Sequence, residues 1–410
     1  MAEVLDVILH GDRVGQVVHI GGDRSIFTLD DGYISNPNRP TLSLGFKTAS
    51  GGVRLKPKPR QSKVDPFLSN LLPEGKLREY IAEKDGVHPS REFQLLKTLG
   101  GDLPGAVMAR FNKDESDDLP NYEHEKEKPV PYDAPLKFSL AGVQMKFSAI
   151  QTATGGLAVP GSGNGGDWIL KFPSEKFPSV PENEFWMMTF ASRLGFDVPE
   201  INLVPFSSIA GMPSGIRTDL GDVFVIRRFD RTPDRGRVHT EDFAQIFRVY
   251  PRDKYDKGNF DMIARVLWAE IGEEGIEDFL GRIVLNAAIG NGDMHLKNWS
   301  LIYPDGKTPR LAPLYDYLST LTYVRRENLG MNFAGTKKFS DLTEDRFLHF
   351  IDKAKFPPTL AMRAVKTMAE KVLDIWSDMR PEIELPDDLL QAINDHMRTV
   401  PILAGAMRAK

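Results

Sequence analysis

The sequence predicts an α+β protein with a β-rich N-terminal part, a small mixed lobe and a large helical lobe. Short β-branched runs at 4–10, 15–20 and 25–29 are separated by Gly-Asp and Gly-Gly-Asp turns, a pattern typical of hairpins. From about residue 240 onwards, apolar residues recur at helical spacing. Thr240-Glu-Asp is interpreted as the cap that starts this helical part, with acidic residues in the first turn.

A polar, highly charged stretch is the best candidate for a linker between domains. It contains Glu123-His-Glu-Lys-Glu-Lys128, and such a composition favours an extended connection over a packed core. We therefore predict four parts: a β-rich subdomain at 1–112, the linker at 113–132, a mixed lobe at 133–235, and a helical lobe at 236–410.

Composition and charge exclude several classes of protein. The 410 residues include no cysteine, which excludes disulfides, cysteine–metal sites and a thiol nucleophile. No secretory signal and no apolar run of about 18 residues is visible, so we expect a cytoplasmic protein without a membrane span. The net charge of −5 is unlike that of a strongly basic polyanion binder. Lys56-Pro-Lys-Pro-Arg60 is a local basic run that fits a solvated loop or a nucleic-acid contact.

The chemistry is carried by Asn291-Gly-Asp-Met-His-Leu-Lys-Asn298, a polar segment that follows a strongly apolar helix. Asp293 and Asn298 are five positions apart, the spacing at which the catalytic loop of protein kinases places a base and a magnesium ligand. Asp316 follows a Pro-Asp-Gly turn and is expected at the end of a second short strand. Because Mg²⁺ favours one or two carboxylates with phosphate oxygens, these residues predict an ATP- and Mg²⁺-dependent kinase site.

Two lysines support this prediction. Lys171 ends the apolar strand Trp168-Ile-Leu-Lys171 and resembles the strand lysine that contacts nucleotide phosphates in kinases. Glu184, thirteen residues later on a predicted helix, is placed to form an ion pair with Lys171. Ser139 to Lys146 is interpreted as a turn between two strands that offers backbone N–H groups and Lys146 to phosphate, with the Ser139 hydroxyl open to modification.

Other interpretations remain open for the same residues. Asp293 and Asn298 also fit a structural role in which they satisfy loop backbone groups. Asp293 and His295, two positions apart, fit part of a zinc or iron site, although no second ligand stands at helical spacing. Lys171 alone fits a strand-edge lysine that blocks aggregation, and Glu184 fits an exposed acid in a first helical turn.

Several segments, taken in order, carry a resemblance to a known family. They are Phe138-Ser-Leu-Ala-Gly-Val-Gln-Met-Lys146, Trp168-Ile-Leu-Lys-Phe-Pro173, Ile226-Arg-Arg-Phe-Asp-Arg231, Glu241-Asp-Phe-Ala-Gln245, Gly292-Asp-Met-His-Leu-Lys-Asn298 and Leu314-Tyr-Asp316, with Arg39-Pro-Thr-Leu-Ser-Leu44 and Ser69-Asn-Leu-Leu-Pro-Glu74 in the N-terminal part. Together they resemble the HipA serine/threonine kinases, the toxin halves of bacterial type II toxin–antitoxin modules. The resemblance covers nearly the whole chain and implies a bilobal protein-kinase-like fold.

The resemblance also implies a role for each matching residue. Asp293 would be the catalytic base, Asn298 and Asp316 would bind Mg²⁺, and Lys171 would contact the ATP phosphates. The other implied ATP-binding residues are the phosphate loop Ala141, Gly142, Val143, Gln144, Met145 and Lys146, the hinge Arg227, Arg228 and Phe229, and Gln245, His295, Lys297 and Tyr315. Ser139 matches the serine whose autophosphorylation ejects the phosphate loop and switches the kinase off, because added negative charge would favour an open loop. Arg227 and Met145 stand where acidic residues are more usual in the family.

Partners follow from the resemblance as well. HipA proteins bind HipB, a small helix-turn-helix antitoxin on operator DNA, and an acidic chain would reach DNA mainly through such a partner. Known substrates in the family include aminoacyl-tRNA synthetases, whose phosphorylation arrests growth. Two alternatives stay open: a catalytically silent nucleotide-binding co-repressor that acts with the antitoxin, and a non-kinase protein whose N-terminal module serves only in assembly.

Overall fold

The computed structural model describes residues 3–84, 86–114, 146–151, 157–158, 166–174, 176–211, 221–234, 236–324 and 328–409. The strands are β1 (Glu3–Leu9), β2 (Asp12–Ile20), β3 (Arg24–Leu29), β4 (Arg60–Gln61), β5 (Val107–Asn112), β6 (Lys146–Gln151), β7 (Leu157–Ala158), β8 (Trp168–Lys171), β9 (Ile201–Val204), β10 (Ile209–Ala210), β11 (Val223–Arg227), β12 (His239–Asp242), β13 (Ser300–Tyr303) and β14 (Arg310–Leu311). The helices are α1 (Asp31–Ser35), α2 (Pro66–Ser69), α3 (Gly75–Lys84), α4 (Glu92–Leu99), α5 (Val180–Arg193), α6 (Phe243–Ile246), α7 (Phe260–Glu270), α8 (Glu273–Ile289), α9 (Glu344–Ala354), α10 (Pro358–Met379), α11 (Asp387–Thr399) and α12 (Pro401–Ala409).

The chain divides into two compact units that alternate along the sequence. Unit 1 comprises the described residues up to 114 together with Asp230–Lys254 and Ser300–Pro309. Unit 2 comprises the described residues from 146 to Phe229, Tyr255–Trp299 and Arg310–Lys410. The segment Asp230–Lys254 therefore runs across the boundary that the sequence predicts between residues 235 and 236.

Unit 1 is built on an antiparallel sheet whose described strands follow the order β4-β3-β2-β1-β5. Alternate residues of β1, such as Leu5 and Val7, face one side of the sheet, where they are buried with Val17, Phe27 and Phe67. The three predicted N-terminal strands are confirmed as β1, β2 and β3.

The predicted helix cap at Thr240 is wrong. Residues 239–242 form β12, which pairs antiparallel with β13, and the Thr240 hydroxyl donates to the backbone carbonyl of Leu301 (2.7 Å). The helix begins after Asp242, whose carboxylate accepts from the N–H of Gln245 while the Gln245 side chain accepts from the N–H of Asp242. Pairing with a strand about sixty residues away overrides the local capping signal.

A buried carboxylate lies on β12. Glu241 accepts hydrogen bonds from the backbone N–H of Leu44 (2.9 Å) and from the hydroxyl of Tyr303 (2.5 Å). Burial raises the pKa of Glu241 to about 7, although these donors and Ser43 oppose the rise.

We expect Glu241→Gln to change the pH dependence of stability. The pKa of Glu241 in the folded state, about 7, lies above its ordinary value of 4.5, so the folded protein holds the extra proton between these pH values. The contribution of protonated Glu241 to the stability of the folded state is therefore present below about pH 4.5 and is lost as the pH rises through 7. The free energy of unfolding of the wild type relative to Glu241→Gln should fall by about 3 kcal/mol across this range, at about 1.4 kcal/mol per pKa unit.

Denaturant unfolding of both proteins at pH 4.5, 6 and 8 measures this difference. Glu384→Gln, a change at an exposed glutamate, is the control and should change the free energy of unfolding only slightly. A flat difference for Glu241→Gln would show that Glu241 has the same pKa in the folded and unfolded states.

Unit 2 joins a second sheet to a helical part. Its described strands follow the order β10-β7-β6-β8-β11-β9, antiparallel except for the β10–β7 pair. Helix α5 packs against β9 and β11, and α8 packs against α7, α10 and α11. The helical core is rich in aromatic rings, with Phe333 stacked on Phe350 at 4.4 Å between ring centroids. The α+β class is thereby confirmed, with strands concentrated towards the N-terminus and helices towards the C-terminus.

Within the described ranges, no helix combines the length and the apolar character that a membrane span requires.

Candidate active site

The polar segment 291–298 starts where α8 ends. Gly290 has φ +63°, and a Cβ atom there would lie 2.5 Å from the side chain of Leu321, so both conformation and packing require glycine. Asn291 donates from Nδ2 to Oδ1 of Asn286 (2.9 Å) and accepts at its own Oδ1 from the N–H of Asp293 (3.0 Å). The buried end of α8 therefore fixes the backbone on which Asp293 stands.

Asp293 is 8% exposed, and its Oδ1 accepts a hydrogen bond from the hydroxyl of Tyr255. The ring of Tyr255 also meets the ring of His295 edge-on, with 4.9 Å between centroids. Sequence reasoning did not single out Tyr255, because a tyrosine 38 positions before an aspartate forms no recognisable spacing with it.

Asn298 has the environment expected of a metal ligand. Its Oδ1 is buried and has no hydrogen-bond partner among the residues that the structure describes. A buried carbonyl oxygen without a partner is costly, and a hard cation such as Mg²⁺ would satisfy it. In the same described part of the chain, no three His, Cys, Asp or Glu side chains gather as a metal site, so the zinc or iron interpretation gains no support.

The predicted ion pair between Lys171 and Glu184 is present, and Asp316 joins it. The Lys171 ammonium contacts both carboxylates, and Lys146 lies 3.4 Å from Oδ1 of Asp316. Lys171 and Glu184 are 3% and 1% exposed, which excludes a strand-edge role for the lysine and an exposed role for the acid. Residues 146 and 171 are direct partners on neighbouring strands β6 and β8, so the sheet register brings both ammonium groups to one carboxylate.

These charges determine the protonation states. Burial alone would raise the pKa of Asp316, but Lys146 and Lys171 hold it well below its usual range. Burial opposes the charge on Lys171 as well, yet Asp316 and Glu184 raise its pKa. Asp316 therefore stays ionised, the form in which a carboxylate binds a metal ion.

The sequence predicted Asp316 at the end of a strand, and this prediction is wrong. Strand β14 ends at Leu311, and Asp316 has φ +57°, a conformation uncommon for residues other than glycine. Such outliers cluster at functional sites.

Two polar bridges fix the segment after Asp316. The Thr320 hydroxyl donates to the carbonyl of Gly290 and accepts from the N–H of Gly292, both at 2.9 Å. The side-chain amide of Asn183 donates to the carbonyl of Ser319 (2.8 Å) and accepts from its N–H (3.0 Å). Helix α5, which carries Asn183 next to Glu184, is thus joined to the segment that carries Asp316.

The other predicted nucleotide residues of unit 2 form a second group. The Tyr315 hydroxyl donates to the carbonyl of Lys297 (2.8 Å), and its ring lies 5.6 Å from that of Phe229. The backbone N–H groups of Arg227 and Arg228 donate to the carbonyls of Glu200 and Asp167 (2.8 Å each). These two N–H groups are therefore already paired within the protein, and an adenine at this hinge would have to use other hinge groups.

Some predicted residues lie elsewhere. Gln245 belongs to unit 1, where it caps α6 and donates to the carbonyl of Phe67 (3.1 Å). Ser139 and the phosphate-loop residues Ala141–Met145 lie outside the described residues. The basic run 56–60 is exposed except for the half-buried Arg60. This exposure is compatible both with a solvated loop and with a nucleic-acid contact.

The site has the features of a protein kinase. A strand lysine pairs with a helix glutamate, an ionised aspartate lies beside them, and a loop carries Asp and Asn five positions apart. Residues 5–110 match the HipA N-terminal domain, and residues 138–376 match the HipA-like C-terminal domain. The chain belongs to the HipA family, as the resemblance predicts.

Known relatives agree with this assignment. The chain is 45% identical over 402 residues to a putative kinase, Y4dM, of Sinorhizobium fredii, with 97% of each chain covered. It is 26% identical over 296 residues to the serine/threonine-protein kinase toxin HipA of Shewanella oneidensis, with 64% of each covered. A chain in the solved complex of Shewanella oneidensis HipA, HipB and operator DNA has the same fold, with a TM-score of 0.71 and 20% sequence identity. The match covers 98% of this chain and 97% of that one.

Proposed function

We propose that the protein is an ATP- and Mg²⁺-dependent serine/threonine protein kinase and the toxin of a HipBA-type toxin–antitoxin module. The observation that carries this proposal is the cluster of Lys171, Glu184 and Asp316. The same unit contains the loop with Asp293 and Asn298, and Oδ1 of Asn298 has no hydrogen-bond partner in the described part of the chain. Phosphoryl transfer depends on such positioning and on electrostatic stabilisation.

Each residue has a distinct task. Asn298 and Asp316 would hold Mg²⁺, which neutralises phosphate charge when bound. Lys171, kept in place by Glu184, contacts the ATP phosphates. Asp293 accepts the proton of the acceptor serine or threonine hydroxyl while the oxygen of that hydroxyl bonds to the γ-phosphorus. The bond from the γ-phosphorus to the β–γ bridging oxygen breaks, and ADP leaves.

The partners follow from the family. The similarity to the Shewanella oneidensis toxin HipA, and to a structure solved with HipB and operator DNA, supports a HipB-like antitoxin and operator DNA as partners, with the DNA reached mainly through the antitoxin. The protein target is proposed as a class only, such as an aminoacyl-tRNA synthetase. Ser139 is proposed as the autophosphorylated residue that inactivates the kinase.

Intact mass and peptide mapping after incubation with ATP and Mg²⁺ test the proposal. We expect one phosphate on Ser139, and none in a matched Ser139→Ala protein. If the wild type binds ATP but takes up no phosphate under any metal condition, the catalytically silent co-repressor is the better assignment.

Asn298→Ala should weaken Mg²⁺ dependence without weakening the fold. Since Oδ1 of Asn298 has no protein partner in the described structure, its removal breaks no hydrogen bond made by that oxygen. We expect the Mg²⁺ concentration for half-maximal transfer to rise by at least about tenfold, as for partners of metal sites, and the melting temperature to stay within a few degrees. Asn298→Asp, which keeps an oxygen ligand, is the matched variant and should recover part of the Mg²⁺ affinity. Equal Mg²⁺ dependence in wild type and Asn298→Ala would remove Asn298 from the metal site.

A further inference from the structure

Tyr255 contacts the centre of the proposed catalytic loop. Its hydroxyl donates to Oδ1 of Asp293, and its ring lies edge-on to that of His295 with an interplanar angle of 78°. Tyr255 is itself half-buried. One side chain thus contacts two residues of the segment that runs from Asp293 to Asn298.

Close packing of neighbouring segments on the catalytic loop fixes the position of Tyr255. Gly258, three residues later, packs so closely against the catalytic loop that a Cβ atom would lie 2.5 Å from Cδ2 of Leu296. Gly330 also approaches this loop, and a Cβ atom there would lie 2.6 Å from the carbonyl oxygen of Met294. Only glycine permits such approaches, so the segment with Tyr255 and the segment with Gly330 both pack directly on the loop.

We propose that Tyr255 is a positioning residue that orients the Asp293 carboxylate for proton transfer. This inference rests on the proposed function, because it gives Tyr255 a role only through Asp293. A carboxylate turns easily about its last torsion angle, and a fixed donor on one oxygen selects a single orientation. A base that is aligned before the substrate arrives loses less free energy in reaching the reactive geometry.

Tyr255→Phe removes only the hydroxyl and keeps the ring against His295. We expect kcat for phosphate transfer to fall by about tenfold, in line with the loss of other orienting partners. The KM for ATP should stay within twofold, because Tyr255 acts on the base and not on the nucleotide. The rates are measured with radiolabelled ATP and the full chain at saturating Mg²⁺. Tyr33→Phe is the control, because it removes another buried hydroxyl, which donates to the carbonyl of Pro40 (2.8 Å) in unit 1.

A double-mutant cycle separates positioning from a general structural effect. If Tyr255 acts through Asp293, then Tyr255→Phe should cause no further loss in an Asp293→Asn background. The inference is overturned if kcat of Tyr255→Phe equals that of the wild type, or if the tenfold loss persists in the Asp293→Asn background. If the wild type transfers no phosphate at all, the proposed function fails and this inference fails with it. An active wild type with an equally active Tyr255→Phe overturns this inference alone.

Discussion

Asp293→Asn should reduce phosphate transfer by roughly 10²–10⁴-fold, the range that a positioned general base contributes. Asparagine has nearly the same shape as aspartate and keeps an oxygen to accept from the Tyr255 hydroxyl, so the loop should keep its conformation. It cannot accept the proton of the attacking hydroxyl at any ordinary pH. ATP binding should stay within about threefold, because the residues proposed to bind ATP and Mg²⁺ are unchanged.

Transfer and binding are measured separately for this variant, by radiolabel incorporation and by calorimetric titration with a non-hydrolysable ATP analogue. Asp345→Asn, a change at an exposed aspartate in the first turn of α9, is the matched control and should transfer phosphate at the wild-type rate. Full activity in Asp293→Asn would remove Asp293 as the base and would favour its structural role in the loop.

Lys171→Met should abolish measurable transfer and also destabilise the protein. The change leaves the buried Glu184 and the largely buried Asp316 without the ammonium group that both contact. Removing one partner of a buried ion pair costs about 3–5 kcal/mol, because the remaining charge is buried without compensation. We expect a lower denaturation midpoint together with the loss of activity, and an unchanged midpoint would contradict the burial of this cluster.

A second substitution separates the two effects of Lys171→Met. In Lys171→Met/Glu184→Gln the buried acid is neutral as well, so part of the lost stability should return. Activity should not return, because no cation is left on β8 to meet the ATP phosphates. Recovery of both stability and activity would show that Lys171 serves the fold and not the nucleotide.

Local patterns in the sequence were sufficient for several features of the fold and the site. Short β-branched runs separated by glycine turns predicted the strands β1 to β3, because β-branched residues favour strands and Gly-Asp pairs favour the turns between them. The ion pair between Lys171 and Glu184, thirteen residues apart, was predicted correctly. A short connection after strand β8 lets helix α5 pack back against the sheet, which brings the two side chains together. By contrast, the cap expected at Thr240 is part of a strand, because its hydrogen-bonding partner is the distant Leu301.

The sequence by itself determined the identity of the charged and amide side chains, their order, and the elements that carry most of them. Only the tertiary structure decided that Tyr255 contacts Asp293, that Lys146 shares Asp316 with Lys171, and that Gln245 serves unit 1. The physical reason is the range of each signal. Periodicity and spacing act over a few turns or strands, whereas these contacts depend on strand register and on packing between segments far apart in the chain.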